Sequence, residues 1–132
     1  MNPVFQIAVS GLNAQSTRVS VAAANIANAR SVGVNPAPDA DNSAAYTPQR
    51  VQQISAADGG VRTDTLPVSP PSIPVLDPGN PDADAQGVAF LPNVSLEAEF
   101  VDLLQASAAF QANLKVIQTQ DELLGSLVDI AS

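Results

Sequence analysis

The chain contains no cysteine, no histidine and no tryptophan. Without cysteine it can form neither a disulfide nor a thiolate metal site. Without histidine it lacks the usual general base at neutral pH and the commonest zinc ligand. These absences exclude a zinc enzyme and a hydrolase with a serine and histidine pair, and we expect no catalytic, metal or cofactor site.

Positive charge and long apolar runs are also scarce. Five Lys and Arg residues stand against 13 Asp and Glu residues, which gives a net charge of -8. Phosphate-backbone binding depends on clustered cations, so we expect no nucleic-acid partner. No apolar run is long enough for a membrane span, and the N-terminus lacks the pattern of a secretory signal. We therefore expect no membrane insertion and, if the protein leaves the cytoplasm, export without signal cleavage.

Proline divides the chain into three parts, because ten of its eleven prolines lie between Pro36 and Pro92. We predict an N-terminal helix within residues 1–31, a proline-rich middle at 32–92, and a C-terminal helix within 93–132. The two helices are expected to form one structural domain. Residues 1–30 contain two arginines and no acid, whereas 93–132 contain six acids and one lysine, so the two ends should attract each other weakly.

Both ends carry apolar residues spaced alternately three and four apart. The rows are Phe5, Ala8, Leu12, Gln15, Val19, Ala22 and Ile26 at the front, and Phe100, Leu103, Ser107, Phe110, Leu114, Ile117, Asp121, Leu124 and Val128 at the back. This spacing places each row on one side of an α-helix. We predict a mainly α fold in which the two helices pack as an antiparallel, coiled-coil-like pair. Gln15 and Asp121 either fix the register as buried polar groups or, as the plainer explanation that we favour, are exposed positions at the edges of the rows.

Each helix also carries a second row on an adjacent side. These rows are Ile7, Gly11, Ala14, Arg18, Val21 and Asn25, and Val116, Gln120, Leu123, Leu127 and Ile130. One partner helix cannot cover two sides, and two helices with a small ribbon bury so little apolar area that the isolated monomer should be only marginally stable. We expect neighbouring subunits to complete the core. Closed dimers and head-to-tail polymers both remain open.

The middle segment predicts a loop at 34–45 and then a β-hairpin over about 46–66. Its strands are predicted at 46–54 and 61–66, on either side of a turn rich in glycine. Prolines from Pro67 to Pro81 predict an extended, polyproline-like path that cannot join a central strand.

Several polar residues can be explained either by a specific functional role or by local structure alone. Asp77 to Asp84 lacks the glycine six places along and the terminal glutamate that a calcium loop needs, and it is better explained as a solvated turn. Glu97 and Glu99 suit the start of a helix and need no catalytic role. Asn25 and Asn28 either cap the first helix or bridge to another element.

Several short segments resemble the flagellar axial family of rod, hook and hook-associated proteins. They are Ser10 to Gln15, Arg18-Val19, Asn25 to Asn28, Gly33, Asp77 to Gly87, Pro92-Asn93-Val94, and Phe110 to Asn113. Their combination and order cover both helices and the junctions between helix and middle segment. The short middle is more similar to the proximal rod branch than to the hook or distal rod.

The resemblance implies a structural subunit of the proximal rod, located in the periplasm and lacking enzyme activity. It implies export by the flagellar type III apparatus and assembly with itself, with related proximal and distal rod proteins, and with membrane-ring and rod-junction proteins. The alternatives are a soluble coiled-coil adaptor or a secreted type III system component and, more distantly, a carboxylate enzyme that uses Glu97 or Glu99.

The packing and interface residues expected from the rows and the resemblance form one set. They are Phe5, Leu12, Gln15, Val19, Asn25, Ile26, Asn28, Phe100, Leu103, Phe110, Asn113, Leu114, Ile117, Leu124 and Leu127.

Overall fold

The computed structural model describes residues 3–33, 46–57 and 59–131. Its elements are α1 (Pro3–Asn28), β1 (Gln49–Ser55), β2 (Val61–Pro67), β3 (Ser72–Leu76), β4 (Val88–Pro92) and α2 (Leu96–Ala131). The prediction of two long terminal helices with a small β element between them is confirmed. The loop predicted at 34–45 lies outside the described residues.

The helix ends follow from local chemistry. Pro3 occupies the first turn of α1, where its missing N-H costs nothing. At the other end of α1, the N-H and hydroxyl of Ser31 donate to the carbonyl of Asn28 at 3.0 and 2.7 Å. Ser95 caps α2 because its hydroxyl accepts from the N-H of Ala98 at 3.4 Å and its carbonyl accepts from the N-H of Glu99 at 3.0 Å.

The two helices pack antiparallel. Asn25 near the end of α1 contacts Glu99 near the start of α2, and Val4 lines a recess together with Gln120 and Leu123. The 26 residues of α1 and the 36 of α2 correspond to lengths of about 39 and 54 Å. The end of α1 near Asn25 lies beside the start of α2 near Glu99. Because α2 is the longer helix, its C-terminal part extends well past the start of α1.

The predicted hairpin is confirmed as β1 and β2, which pair antiparallel from Gln49 opposite Pro67 to Ser55 opposite Val61. Gly59 and Gly60 turn the chain with φ of 90° and 86°, a conformation that favours glycine. Both strands lie along α1. A second side of α1 is therefore covered in part by the same chain.

A second two-stranded sheet, which the sequence did not predict, lies within and beyond the proline-rich segment. β3 pairs antiparallel with β4, from Ser72 opposite Pro92 to Leu76 opposite Val88. Pro74 is tolerated in β3 because a two-stranded sheet leaves one edge of each strand without a partner strand. Gly33 joins this sheet to the end of α1, since its N-H donates to the carbonyl of Phe90 at 3.1 Å.

Candidate assembly interface

Asn25 is the polar centre of the fold and is only 1% exposed. Its Nδ2 donates to the carbonyl of Gln49 at 2.7 Å and to Oε1 of Glu99 at 2.8 Å. Its Oδ1 accepts from the N-H of Gln49 at 3.1 Å and from the hydroxyl of Tyr46 at 3.0 Å. The amide therefore uses all of its donors and both acceptor positions, and it joins α1, β1 and α2 at one point.

The ionisable side chains at this junction, Glu99 and Tyr46, are half-buried. Burial raises the pKa of Glu99, and nearby Asp102 raises it further, while the hydrogen bond from Asn25 acts in the opposite direction. Burial also raises the pKa of Tyr46, and the neighbouring Glu99 adds to that effect. Because both groups contact Asn25, the junction favours the protonated form of each.

The opposite end of the first hairpin is held by Ser10. Its hydroxyl accepts from the N-H of Val61 at 3.1 Å and donates to the carbonyl of Ile7 at 2.7 Å. Ser10 and Asn25 are 15 residues apart on α1, a separation of about 22 Å along a helix axis. Seven extended residues span about 23 Å, so the seven-residue strand β1 matches the distance between the two anchors.

One ion pair and one close contact also join the helices. Nη2 of Arg18 contacts Oδ1 of Asp102 at 2.5 Å, and its Nη1 donates to Oε1 of Gln15 at 3.4 Å. Gln15 is 9% exposed, so the expectation of an exposed edge position was wrong for this residue. A Cβ added to Gly11 would lie 2.7 Å from Nδ2 of Asn113, so this glycine makes room for the amide.

The least exposed side of α2 is not identical to the apolar row predicted from the sequence. The two share every second residue, and at the positions between, the least exposed residue is the one just before the predicted one. The members of the least exposed side are Glu99, Leu103, Ala106, Phe110, Asn113, Ile117 and Gln120, spaced alternately four and three apart. Leu103, Phe110 and Ile117 belong to both rows. Phe100, Ser107 and Leu114 lie beside the contact with α1 and are exposed.

The residues expected at interfaces fall into two groups. Buried or half-buried are Leu12, Gln15, Val19, Asn25, Ile26, Asn28, Leu103, Phe110, Asn113 and Ile117. Exposed by 40% or more are Phe5, Phe100, Leu114, Leu124 and Leu127. The first group stabilises the single chain, and the second leaves apolar surface available to another molecule.

The C-terminal part of α2 carries the largest concentration of this exposed apolar surface. Leu124 is 46% exposed, Leu127 62%, Val128 67% and Ile130 83%. All four lie beyond the recess that Val4 of α1 lines together with residues of α2. We call residues 121–130 the free end of α2. Exposed apolar side chains grouped in this way are typical of a protein interface.

Several contact residues were missed at the sequence level. Tyr46 is the one tyrosine of the chain, and Glu99 was explained by the helix dipole alone, yet both bind Asn25. The two asparagines differ in role, since Asn28 Nδ2 donates to the carbonyl of Ala24 within α1 at 2.8 Å. A polar residue inside an apolar row was the available signal for Asn25.

The acidic segment between β3 and β4 forms turns. Oδ1 of Asp84 accepts from the N-H groups of Gln86 and Val88, both at 2.9 Å, and Oδ1 of Asn80 accepts from the N-H of Asp82 at 3.0 Å. Within the described ranges no group of three or more acidic side chains is placed to hold a metal ion. Nor does this part of the chain include a helix with the length and hydropathy needed to cross a membrane.

Comparison with protein families assigns both ends of the chain. Residues 5–33 match the family described as "Flagella basal body rod protein", and residues 85–130 match "Flagellar basal body rod FlgEFG protein C-terminal". The first match covers most of α1 and the second covers all but the last residue of α2. The two helices and the interface between them are thus those of a flagellar rod protein.

Similarity to individual proteins is closer still. The chain is 39% identical to the flagellar basal-body rod protein FlgC of Escherichia coli O6:H1, over 92% of this chain and 90% of that protein. It is 41% identical to FlgC of Yersinia enterocolitica over the same shares, and 36% identical to FlgC of Agrobacterium fabrum over 98% and 94%. The chain belongs to the FlgC family of flagellar basal-body rod proteins, which are structural proteins and not enzymes.

Proposed function

We propose that the chain is a subunit of the proximal rod that polymerises through its terminal helices and transmits torque. In this proposal it reaches the periplasm through the flagellar type III apparatus without signal cleavage. There it contacts copies of itself, related proximal and distal rod proteins, and membrane-ring and rod-junction proteins. The exposed apolar side chains of α2 are the observation that carries this proposal.

The energetics favour assembly over a free monomer. Each large apolar side chain that passes from water into an interface contributes about 1.5 to 3 kcal/mol. Leu124, Leu127, Val128 and Ile130 are all exposed in the single chain, so covering them offers a substantial gain. Among the described residues, the buried apolar side chains are five alanines together with Pro48 and Pro92, which makes the core of the single chain small.

The two sides of the helix pair suggest how force is carried. Leu103, Phe110 and Ile117 pack within the chain, whereas Phe100, Leu114 and Leu124 are turned toward a neighbour in our proposal. A coiled-coil-like contact between subunits would then use the row spaced three and four apart. Such close packing resists shear because side chains interlock along the whole contact.

Substitution in α2 tests the proposal. Leu114→Asp and Leu127→Asp should each abolish swimming and remove the protein from purified basal bodies of a flagellated host, because an interface cannot accommodate an unpaired charge. Leu127 is 62% exposed, so its replacement leaves the fold of the single chain intact. Circular dichroism of the purified variants verifies that point.

Gln105→Asp is the matched control, since it adds the same charge at an exposed position of α2. Gln105 is nine residues from Leu114, which places it on the opposite side of the helix, and it is about 33 Å from Leu127 along the helix axis. We expect this variant to swim. Normal swimming by both leucine variants would overturn the proposal.

A further inference from the structure

The first hairpin presents an exposed side with positive charge that its own chain leaves largely unused. Arg50, Gln52 and Ile54 alternate along β1 on one side of the sheet, and the register places Leu66, Asp64 and Arg62 of β2 opposite them. Asp64 and Leu66 are half-buried, whereas the other four, Arg50, Gln52, Ile54 and Arg62, are exposed. We call these four the outer hairpin face. They include two of the five Lys and Arg residues of the chain.

Little within the described chain competes for these two arginines. Nη2 of Arg62 lies 3.5 Å from Oδ2 of Asp64, but both side chains are well exposed and such a pair is weak. Arg50 has no ion pair within the described residues. By contrast, Arg18 is already paired with Asp102.

The free end of α2 has the complementary chemistry. Asp121, Leu124, Gly125 and Val128 follow one another on one side of the helix, and Glu122 lies at the margin of that side. The two acids are exposed, as are Leu124 and Val128. A Cβ added to Gly125 would meet nothing within 4 Å, so an approaching strand would find room against the helix backbone.

We infer that the outer hairpin face of one copy binds the free end of α2 of a second copy. Arg50 and Arg62 pair with Asp121 and Glu122, while Ile54 packs against Leu124 and Val128. This inference rests on the proposed function, because it assigns one contact within the polymer. Opposite charge on the two surfaces sets the orientation, and the apolar side chains supply most of the stabilisation.

The partner must be a different molecule. Within one chain, Arg50 follows Gln49, which binds Asn25, whereas Asp121 lies next to the recess around Val4. Asn25 and Val4 are 21 residues apart on α1, a separation of about 32 Å along the helix axis. Arg50 therefore cannot reach Asp121 of its own chain.

The other acidic segment of the chain is a poorer partner. Between β3 and β4, Oδ1 of Asp84 already accepts two main-chain N-H groups, and the carboxylate of Asp77 accepts from Asn80. That segment also lacks an apolar row like Leu124 and Val128 to receive Ile54.

The absence of cysteine makes the contact directly testable by cross-linking. A chain carrying both Ile54→Cys and Leu124→Cys is expressed in a flagellated host without its own FlgC, and basal bodies are treated with a mild oxidant. We expect disulfide-linked dimers and longer chains. Gln53→Cys with Leu124→Cys is the control, because Gln53 is also exposed but points to the other side of β1.

Charge reversal supplies the second readout. Adding Arg50→Glu and Arg62→Glu to the Ile54 and Leu124 cysteine pair should lower the cross-linked fraction about tenfold. Further addition of Asp121→Arg and Glu122→Arg should restore it. Equal cross-linking by the control pair, or a yield that charge reversal leaves unchanged, overturns the inference.

The outcomes separate this inference from the proposed function. Basal bodies that contain the chain but yield no cross-link at these positions overturn only the contact assigned here. Basal bodies that lack even the unsubstituted chain overturn the rod proposal and this inference together.

Discussion

The side-chain amide of Asn25 pairs with both main-chain groups of Gln49, as a neighbouring strand would. Nδ2 donates to the carbonyl at 2.7 Å and Oδ1 accepts from the N-H at 3.1 Å. Gln49 is the first residue of β1, so this pairing fixes where the hairpin begins on α1. The same amide reaches Glu99 of α2, which ties the position of the hairpin to the pairing of the helices.

Asn25→Asp should therefore be strongly destabilising. The carboxylate has the same shape but cannot donate to Gln49 or to Glu99, and it places a second negative charge beside Glu99. We expect a loss of about 2 to 4 kcal/mol in the free energy of unfolding, measured by urea denaturation. Asn13→Asp, at an exposed position of the same helix, should change it by no more than about 0.5 kcal/mol. Equal effects of the two substitutions would refute the role given to Asn25.

Gly11 and Gly125 should respond in opposite ways to alanine. Alanine is favoured over glycine in a helix by about 1 kcal/mol, so Gly125→Ala, with open space around it, should stabilise the isolated chain. Gly11→Ala should destabilise it because the added methyl group meets Asn113. When Asn113→Ala is also present, Gly11→Ala should become stabilising. Thermal unfolding of the four combinations at Gly11 and Asn113 measures this coupling, and additive effects would contradict it.

Stability should depend on pH through Glu99. Its pKa is raised in the folded chain above the ordinary value of 4.5, so the folded state binds the proton more tightly than the unfolded state. The contribution of this group to the free energy of unfolding is therefore greatest below that ordinary value and falls as the pH rises through the folded pKa.

Glu99→Gln keeps an oxygen acceptor for Asn25 and removes the titration. We therefore compare the free energy of unfolding of the variant with that of the unsubstituted chain. The value for the variant minus the value for the unsubstituted chain should rise as the pH passes from the ordinary pKa of Glu99 to its folded pKa, and then level off. Paired urea titrations at several pH values measure the difference, in which contributions from the other carboxylates cancel. A difference that stays flat or falls would show that Glu99 is not held in a buried, proton-favouring position.

Tyr46 provides an optical probe of the same junction, because it is the one tyrosine in a chain without tryptophan. Burial raises its pKa first, and the charge of Glu99 raises it further. Glu99→Gln should lower the pKa of Tyr46 toward 10.0 without reaching it, as measured by phenolate absorbance during alkaline titration. An unchanged titration midpoint would mean that Glu99 does not act on Tyr46.

The helices and the first hairpin were predictable because their signals are local. Proline is absent from both helical ends after Pro3, and Gly59-Gly60 marks the turn between β1 and β2. The pairing of β3 with β4 was not predictable in the same way, since Pro74 and the prolines around it favour an isolated extended path. Only the partner strand, 12 or more residues further on, makes β3 a strand.

The contact side of α2 was only half predictable. Two overlapping rows share Leu103, Phe110 and Ile117, and an apolar pattern favours the row that contains Phe100 and Leu114. The helix pair instead uses Glu99 and Asn113, which meet Asn25 and Gly11 of α1. Polar residues at such positions carry no periodic signal, and their partners are distant in sequence.

Assembly through the free end of α2 can be measured by the reactivity of a single introduced cysteine. In the free chain, Leu127→Cys should react rapidly with a maleimide, because this position is 62% exposed. In intact basal bodies from a host that carries the variant, the same thiol should be protected, and dissolving the rods in denaturant should restore full labelling. Labelling as rapid in intact basal bodies as in the free chain would contradict assembly through this surface.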